Sequence, residues 1–397
     1  MEEQGFQHNN FLAYILFLSI FMNGFEGGGY QTCLLSIGKE FALTDAVAGM
    51  MASAQLIAVL AGPLIFGSIA DRHGKKSVLN AFLAVRIAAC VLLWFVTDSR
   101  IFAVGIFTVG ISISIIQSIS IAGLADAYPL SGGRKIGMIT SMYSLGAVTA
   151  PLICGKMIES GITWRMLFVF TGLMAAVVTA GLAFTNFEIK EHPAAETVRE
   201  KTAAGSWSAA VISLLCFIMF VYVGVENGFA FFINSFMKET LGAEHSYLAL
   251  SMFWLAMIPS RIICGYLQKR KGFLLTAAAA GTALSAVIMS AVQSGSTAVI
   301  LSFVLGFFSG AIYPNVLNFA MENAGNRSAT ATGLITAATG LGGAVITTSF
   351  GFITEDFGIR TAFDVLSGLM VMDIAAAVIL IIIAGKNAYR HIEGYGD

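Results

Sequence analysis

Glu26 and Glu226 stand 200 residues apart, each inside a long apolar run, and a carboxylate in that setting is the first chemistry the sequence offers. An ionisable side chain at mid-membrane depth is costly, so it persists where it carries a proton, meets a polar ligand or satisfies a buried partner. Glu26 has Asn23 before it and Gly27, Gly28 and Gly29 after it. Glycines of this kind let a helix loosen and expose backbone groups to a cavity. Glu226 is followed by Asn227, with Asn234 two turns on. Both acids are expected to couple proton movement and to bind solute; the plainer alternative is a pair of buried, hydrogen-bonded hinges.

A hydroxyl-rich ligand needs paired donors and acceptors with an aromatic face to cover its apolar side. Gln31, Gln117, Tyr143, Tyr222, Asn315 and Asn318 are the side chains in apolar runs that supply them, alongside Asn23 and Asn227. The alternative role for each is to hold helices together. Arg86 and Asp373 also lie in mid-run, and Arg86 is a candidate to reach Glu26. Asp71 and Arg72, Asp126 with Arg134, and Glu322 with Arg327 stand at the ends of runs, where breakable pairs can serve as gates.

Other chemistries find little support. The five histidines lie at run ends or in loops, so no nucleophile with a base and no metal-ligand cluster is expected. The five cysteines are scattered singly through apolar segments and read as small hydrophobes. No phosphate-binding glycine loop is visible, and no cofactor is expected. A net charge of -1 without a basic face argues against a nucleic-acid partner.

These residues must be positioned by membrane-spanning helices. The chain has 397 residues, 57% apolar and 11% charged, with a mean hydropathy of +0.82, too oily for a water-facing surface. Apolar runs between charged punctuation predict helices at 11–37, 45–70, 77–96, 100–126, 135–159, 165–185, 207–238, 246–268, 272–291, 296–322, 328–354 and 361–385. Each is near the length, about 20 residues, that crosses a bilayer. The charged stretch 187–206 reads as an aqueous linker between halves 1–186 and 207–397. Fourteen Lys and Arg residues fall on the side of the termini and linker. Six fall opposite, namely Lys39, Arg100, Lys156, Arg165, Lys238 and Arg360. That imbalance predicts a cytoplasmic location for both termini in a multi-pass cell-membrane protein.

The halves repeat. Gly137, Gly146 and Gly155 in the fifth span recur as Gly333, Gly342 and Gly351 in the eleventh, 196 residues later. Gly67 and Gly74 recur as Gly265 and Gly272 at an offset of 198, and the two glutamates at 200. Parallel duplicated halves with a midplane site are one organisation of secondary transporters.

The 2–3 loop, Gly67-Ser68-Ile69-Ala70-Asp71-Arg72-His73-Gly74-Lys75-Lys76, resembles the signature loop of the major facilitator superfamily. That resemblance implies an all-α membrane protein of about twelve helices in two pseudo-symmetric six-helix halves, working by alternating access rather than as an enzyme. Tyr222-Val223-Gly224-Val225-Glu226, Leu250 to Met257 with Arg261, and Gly310 to Asn315 with the following 327–343 stretch look like the fucose/glucose sugar-proton symporter family. This finer resemblance implies a monomer carrying a small polar solute, a sugar, with protons. Members of that family carry a second carboxylate in helix 4, where this chain offers Gln117. Gly146 to Gly155 with Pro151 partly resembles the helix-5 motif of drug/proton antiporters, which keeps proton-coupled efflux of amphipathic drugs or lipids as the alternative.

Overall fold

The computed structural model describes residues 2–127, 132–185, 208–267, 270–323 and 328–393, with side-chain surroundings omitted at 2–10, 63–73, 125–137, 385–393 and a few isolated positions. The helices are α1 (Glu2–Glu40), α2 (Asp45–His73), α3 (Lys75–Phe95), α4 (Ser99–Ala127), α5 (Gly132–Glu159) and α6 (Met166–Ala183). The second half holds α7 (Ala209–Ser235), α8 (Tyr247–Tyr266), α9 (Lys271–Ala291), α10 (Gly295–Gly310), α11 (Ile312–Asn323), α12 (Ser328–Phe357) and α13 (Ile359–Glu393). Eleven stretches among the described residues are long and apolar enough to cross a membrane. The twelfth span is α5, 28 residues and about 42 Å at helical rise.

Each predicted span is present, with one difference inside the tenth. It is two helices, α10 and α11, meeting at Ala311. Pro314 lacks an N–H and its ring crowds the carbonyl four residues earlier, so the ladder breaks there. One residue on, Asn315 Nδ2 donates to the Ala311 carbonyl at the break, at 2.8 Å. Between α2 and α3 the reversal takes one residue, Gly74, at φ +82°, a conformation open to glycine. The linker stretch 187–206 lies outside the described residues, as do the side chains of Asp71, Arg72, Asp126, Arg134 and Glu322 and all of Arg327.

The duplication is visible as backbone crossings that only glycine permits. In the first half α1 crosses α5 so closely that a Cβ on Gly24 would sit 1.9 Å from the Tyr143 carbonyl oxygen, and one on Gly146 would sit 2.2 Å from that of Phe21. In the second half α7 crosses α12 the same way: Gly342 would meet the Phe220 carbonyl at 1.9 Å and Gly224 would meet that of Gly342 at 2.7 Å. The crossing of α2 and α4 at Gly110 against the Gln55 carbonyl recurs where Gly306 of α10 lies against the Phe253 carbonyl of α8. Between apolar helices in lipid there is little hydrophobic driving force, so close packing through small residues carries the association.

The halves join through α2 against α12 and α5 against α8. A Cβ on Gly351 would lie 2.5 Å from the Asp45 carbonyl, and one on Gly155 would lie 2.3 Å from the Tyr247 ring. Ser53 of α2 donates to the Ala344 carbonyl at 2.7 Å and receives from Thr348 at 2.7 Å. The end carrying the 1–2, 5–6, 7–8 and 11–12 connections is sealed by charge as well. Glu355 accepts from the Ala46 N–H at the start of α2 at 3.0 Å, Glu159 meets His245 just before α8 at 3.2 Å, and Lys39 pairs with Glu239 at 3.2 Å.

These contacts obey the internal symmetry. Glu159 and Glu355 are 196 apart, the offset of the repeated glycines, and each closes on the N-terminal end of a helix from the opposite half. Lys39 and Glu239 are 200 apart, the offset of the two acids, so they are equivalent positions meeting on the pseudo-twofold axis with opposite charges. Lys39→Glu is therefore expected to place like charges face to face and loosen this end. Lys39→Glu with Glu239→Lys is expected to restore it. Labelling of a cysteine placed at the buried Ala48, in a background with the native cysteines replaced, measures both. Exposed pairs contribute little singly, so the signature is non-additivity across the cycle.

Candidate functional site

Glu26 is fully buried, and both its oxygens accept from Gln55 Nε2, at 2.9 and 3.1 Å. Gln55 is brought there by the glycine crossing of α2 over α4. Three residues before Glu26, one turn back on α1, Asn23 donates to the Ile113 carbonyl at 2.9 Å and receives from Arg86 Nη2 at 3.2 Å. Arg86 Nε donates to Ser112 Oγ at 2.7 Å, while Nη1 is buried without a partner. The guanidinium therefore does turn inward to the neighbourhood of Glu26, but it grips Asn23 rather than forming an ion pair with the acid. The network ties α1, α2, α3 and α4 together and holds the guanidinium and the carboxyl group in one buried region, where electrostatic effects are little screened.

Across the interface, Tyr222 and Glu226 are one turn apart on α7, and the tyrosine hydroxyl donates to Glu226 Oε2. Unlike Glu26, the Glu226 side chain is half-buried. Arg261 of α8 lies within electrostatic range of this acid, and Tyr143 of α5 is within range of Glu26, Glu226 and Arg261 alike. The Tyr143 hydroxyl covers the Gly27 position of α1 at 2.9 Å from where a Cβ would be. Arg261 Nη1 donates to Ser144 Oγ of the other half at 3.3 Å, and Tyr313 of α11, 40% exposed, faces the same group. The arrangement is a polar, tyrosine-edged cluster between the halves, holding one carboxylate and one guanidinium.

Not every polar residue joins it. Gln31 is spent on helix packing: its side-chain oxygen accepts from Trp254 Nε1 at 3.0 Å and its carbonyl from Asn234 Nδ2 at 3.4 Å, both across the half boundary. Asn227 donates to the Val223 carbonyl of its own helix at 2.9 Å, and Asn315 caps α10 while its Oδ1 is buried without a partner. Gln117 and Asn318 are half-buried on α4 and α11. Asp373 is fully buried on α13 with neither carboxyl oxygen partnered. Gln55, Ser112 and Arg261 complete the two networks although spacing alone did not mark them as site residues. Their signal was a polar side chain in an apolar run, a weak one because most such residues bond to their own helix, and Arg261 alone also stood in a stretch that carried the family resemblance.

Two six-helix halves around a buried polar cluster, with glycine crossings repeated at a fixed offset, define a polytopic membrane transporter. The family model of the Major Facilitator Superfamily matches residues 16–347, and the chain belongs to that superfamily. It is 21% identical over 313 residues to the glucose/mannose transporter GlcP of Bacillus subtilis (strain 168), covering 75% of this chain and 77% of that one. It is 26% identical over 321 residues to the cis,cis-muconate transport protein of Acinetobacter baylyi, covering 75% and 76%. Among solved structures, a D-xylose-proton symporter superposes with a TM-score of 0.76 at 15% identity, covering 94% of this chain and 97% of the other, which shows the shared fold. The protein is thus a transporter of a small molecule and not an enzyme.

Proposed function

We propose that the chain is a proton-coupled sugar transporter that works by alternating access around the cluster of Tyr143, Tyr222, Glu226 and Arg261. The observation that carries the reading is this cluster: hydroxyls and ring faces from both halves surround one half-buried carboxylate, as a polyol with an apolar ring face requires. The likeness to a glucose/mannose transporter supports the sugar, and the named activity of the xylose-proton symporter supports the proton. Glu226, the half-buried acid, is the coupling acid, and Glu26, locked by Gln55, holds the first half rigid. Asn227, Asn315 and Asn318 line the solute's path, with Asn23 and Gln31 supporting from behind.

The excess of Lys and Arg supports termini in the cytoplasm, which makes the sealed end the outer one and the captured state inward-facing. In the opposite state the cytoplasmic gates formed by Asp71 with Arg72, Asp126 with Arg134 and Glu322 with Arg327 close in turn. The halves 1–186 and 207–397 move as bodies about the 187–206 linker, in a monomer.

Proteoliposomes carrying the protein test the reading through external pH as sugars are added singly. A hexose or pentose that evokes external alkalinisation is the expected result. Silence to every sugar together with a response to amphipathic drugs or lipids would overturn it.

A further inference from the structure

The guanidinium of Arg261 lies at the boundary of the halves with neutral partners and no carboxylate against it among the described residues. Its contacts are neutral: the Ser144 hydroxyl at 3.3 Å, the Met257 sulfur at 3.6 Å and the Tyr222 hydroxyl, while Nε is buried with no partner. No ion pair within 4.0 Å reaches it among the described residues, although Glu226 lies within electrostatic range. That carboxylate is committed instead to Tyr222. Arg86, the other arginine inside a span, also has one unpartnered nitrogen, Nη1, but it differs in place: it is sealed from solvent within the first half and bonds Ser112 and Asn23 there. Arg261 sits at the boundary of the two halves, where an alternating-access solute must lie.

We propose that Arg261 receives a carboxylate on the solute, so that the transported molecule is an organic acid, a sugar acid such as an aldonate or uronate being the case that fits the sugar reading on which this rests.

Charge balance follows from the residues facing the site: Glu226 and Tyr222 from α7, Arg261 from α8, Tyr143 from α5, Tyr313 from α11 and, behind Tyr143, Glu26 from α1. Before solute binds, the site between the halves balances one positive guanidinium against one negative Glu226, held apart rather than in contact. A carboxylate entering adds a second negative charge that a low-dielectric site tolerates poorly. If one proton joins Glu226 as the carboxylate meets Arg261, the sum is unchanged. Anion and proton therefore bind together, and the planar fork of arginine supplies the paired donors that a carboxylate matches.

The test uses purified full-length protein and three probes: glucose, gluconate and cis,cis-muconate. Affinity is read by titration calorimetry, and proton uptake on binding is read in weakly buffered solution. Gluconate is expected to bind with uptake of one proton, and Arg261→Gln to weaken it by at least about tenfold, the scale of hydrogen bonds to charged groups. Arg261→Lys is expected to recover part of the loss, and Glu226→Gln to bind gluconate with no proton uptake. Size-exclusion profiles matching the native protein establish that each variant is folded. Glucose binding as tightly as gluconate, with Arg261→Gln changing the two alike, would overturn the acid while leaving the sugar reading intact. Muconate binding alone, with loss in Arg261→Gln, would uphold the acid and sink the sugar. A folded native protein that binds none of the three overturns both.

Discussion

Glu226→Gln is expected to abolish proton-driven accumulation while leaving solute exchange across the membrane in place. With one proton per solute, a gradient of about two pH units drives accumulation of about 100-fold, since each tenfold corresponds to about 1.4 kcal/mol. The amide cannot carry the proton, so the gradient has nothing to act upon, and accumulation falls to the level set by the solute alone. Exchange of labelled for unlabelled solute needs only the rocking of the loaded carrier, which the amide permits. Counterflow and gradient-driven uptake, measured on the same vesicles, separate the two. The same substitution at Glu26 is expected to act differently. Gln55 donates to both Glu26 oxygens, and a glutamine there turns one of those acceptors into a second donor. Its predicted effect is a less stable first half. An unaltered proton-driven accumulation in Glu226→Gln would move the coupling role away from α7.

The second large effect is structural and follows from the repeated crossings. Gly342→Val and Gly24→Val each force a branched side chain toward a backbone carbonyl that even a methyl would approach to 1.9 Å. Backbone in the middle of two packed helices does not yield as a flexible side chain does, so overpacking costs about 3 kcal/mol or more. Both variants are expected to lose the monodisperse profile in detergent or to melt well below the native protein. Gly368→Val provides the control, because nothing lies within 4 Å of a Cβ there. The comparison tests the two crossings separately: Gly24 reports on α1 against α5, and Gly342, the counterpart of Gly146, on α7 against α12. A native melting profile for either variant would show that its crossing is looser than the 1.9 Å approach requires.

The candidate site was partly legible before folding. Glu26 and Glu226 announced themselves because a charge in a twenty-residue apolar run is expensive wherever the helix goes. Arg86 was similarly visible, and its inward turn toward the first acid was anticipated, though its partner there is the Asn23 amide. Gln31, expected as a ligand for solute, is also bonded to Trp254 and Asn234 of the other half. Those partners are 203 and 223 residues distant, which no local pattern encodes. Gln55 and Arg261 were overlooked as site residues for the same reason.

The sequence by itself determined the spans, their number, the duplication and the superfamily. Bilayer thickness, the cost of unpaired backbone groups in lipid and the need for glycine at close crossings act on short stretches and leave a local mark. The break of the tenth span at Ala311 was also written locally, in Pro314. Only the tertiary structure decided which polar residues meet. It paired Lys39 with Glu239, closed Glu159 and Glu355 on the helices of the opposite half, and left Arg261 between the halves with Nε unpartnered. Those outcomes depend on the relative placement of two six-helix bodies, and electrostatic or hydrogen-bonding satisfaction is a property of pairs, set when distant helices come within about 3 Å of one another.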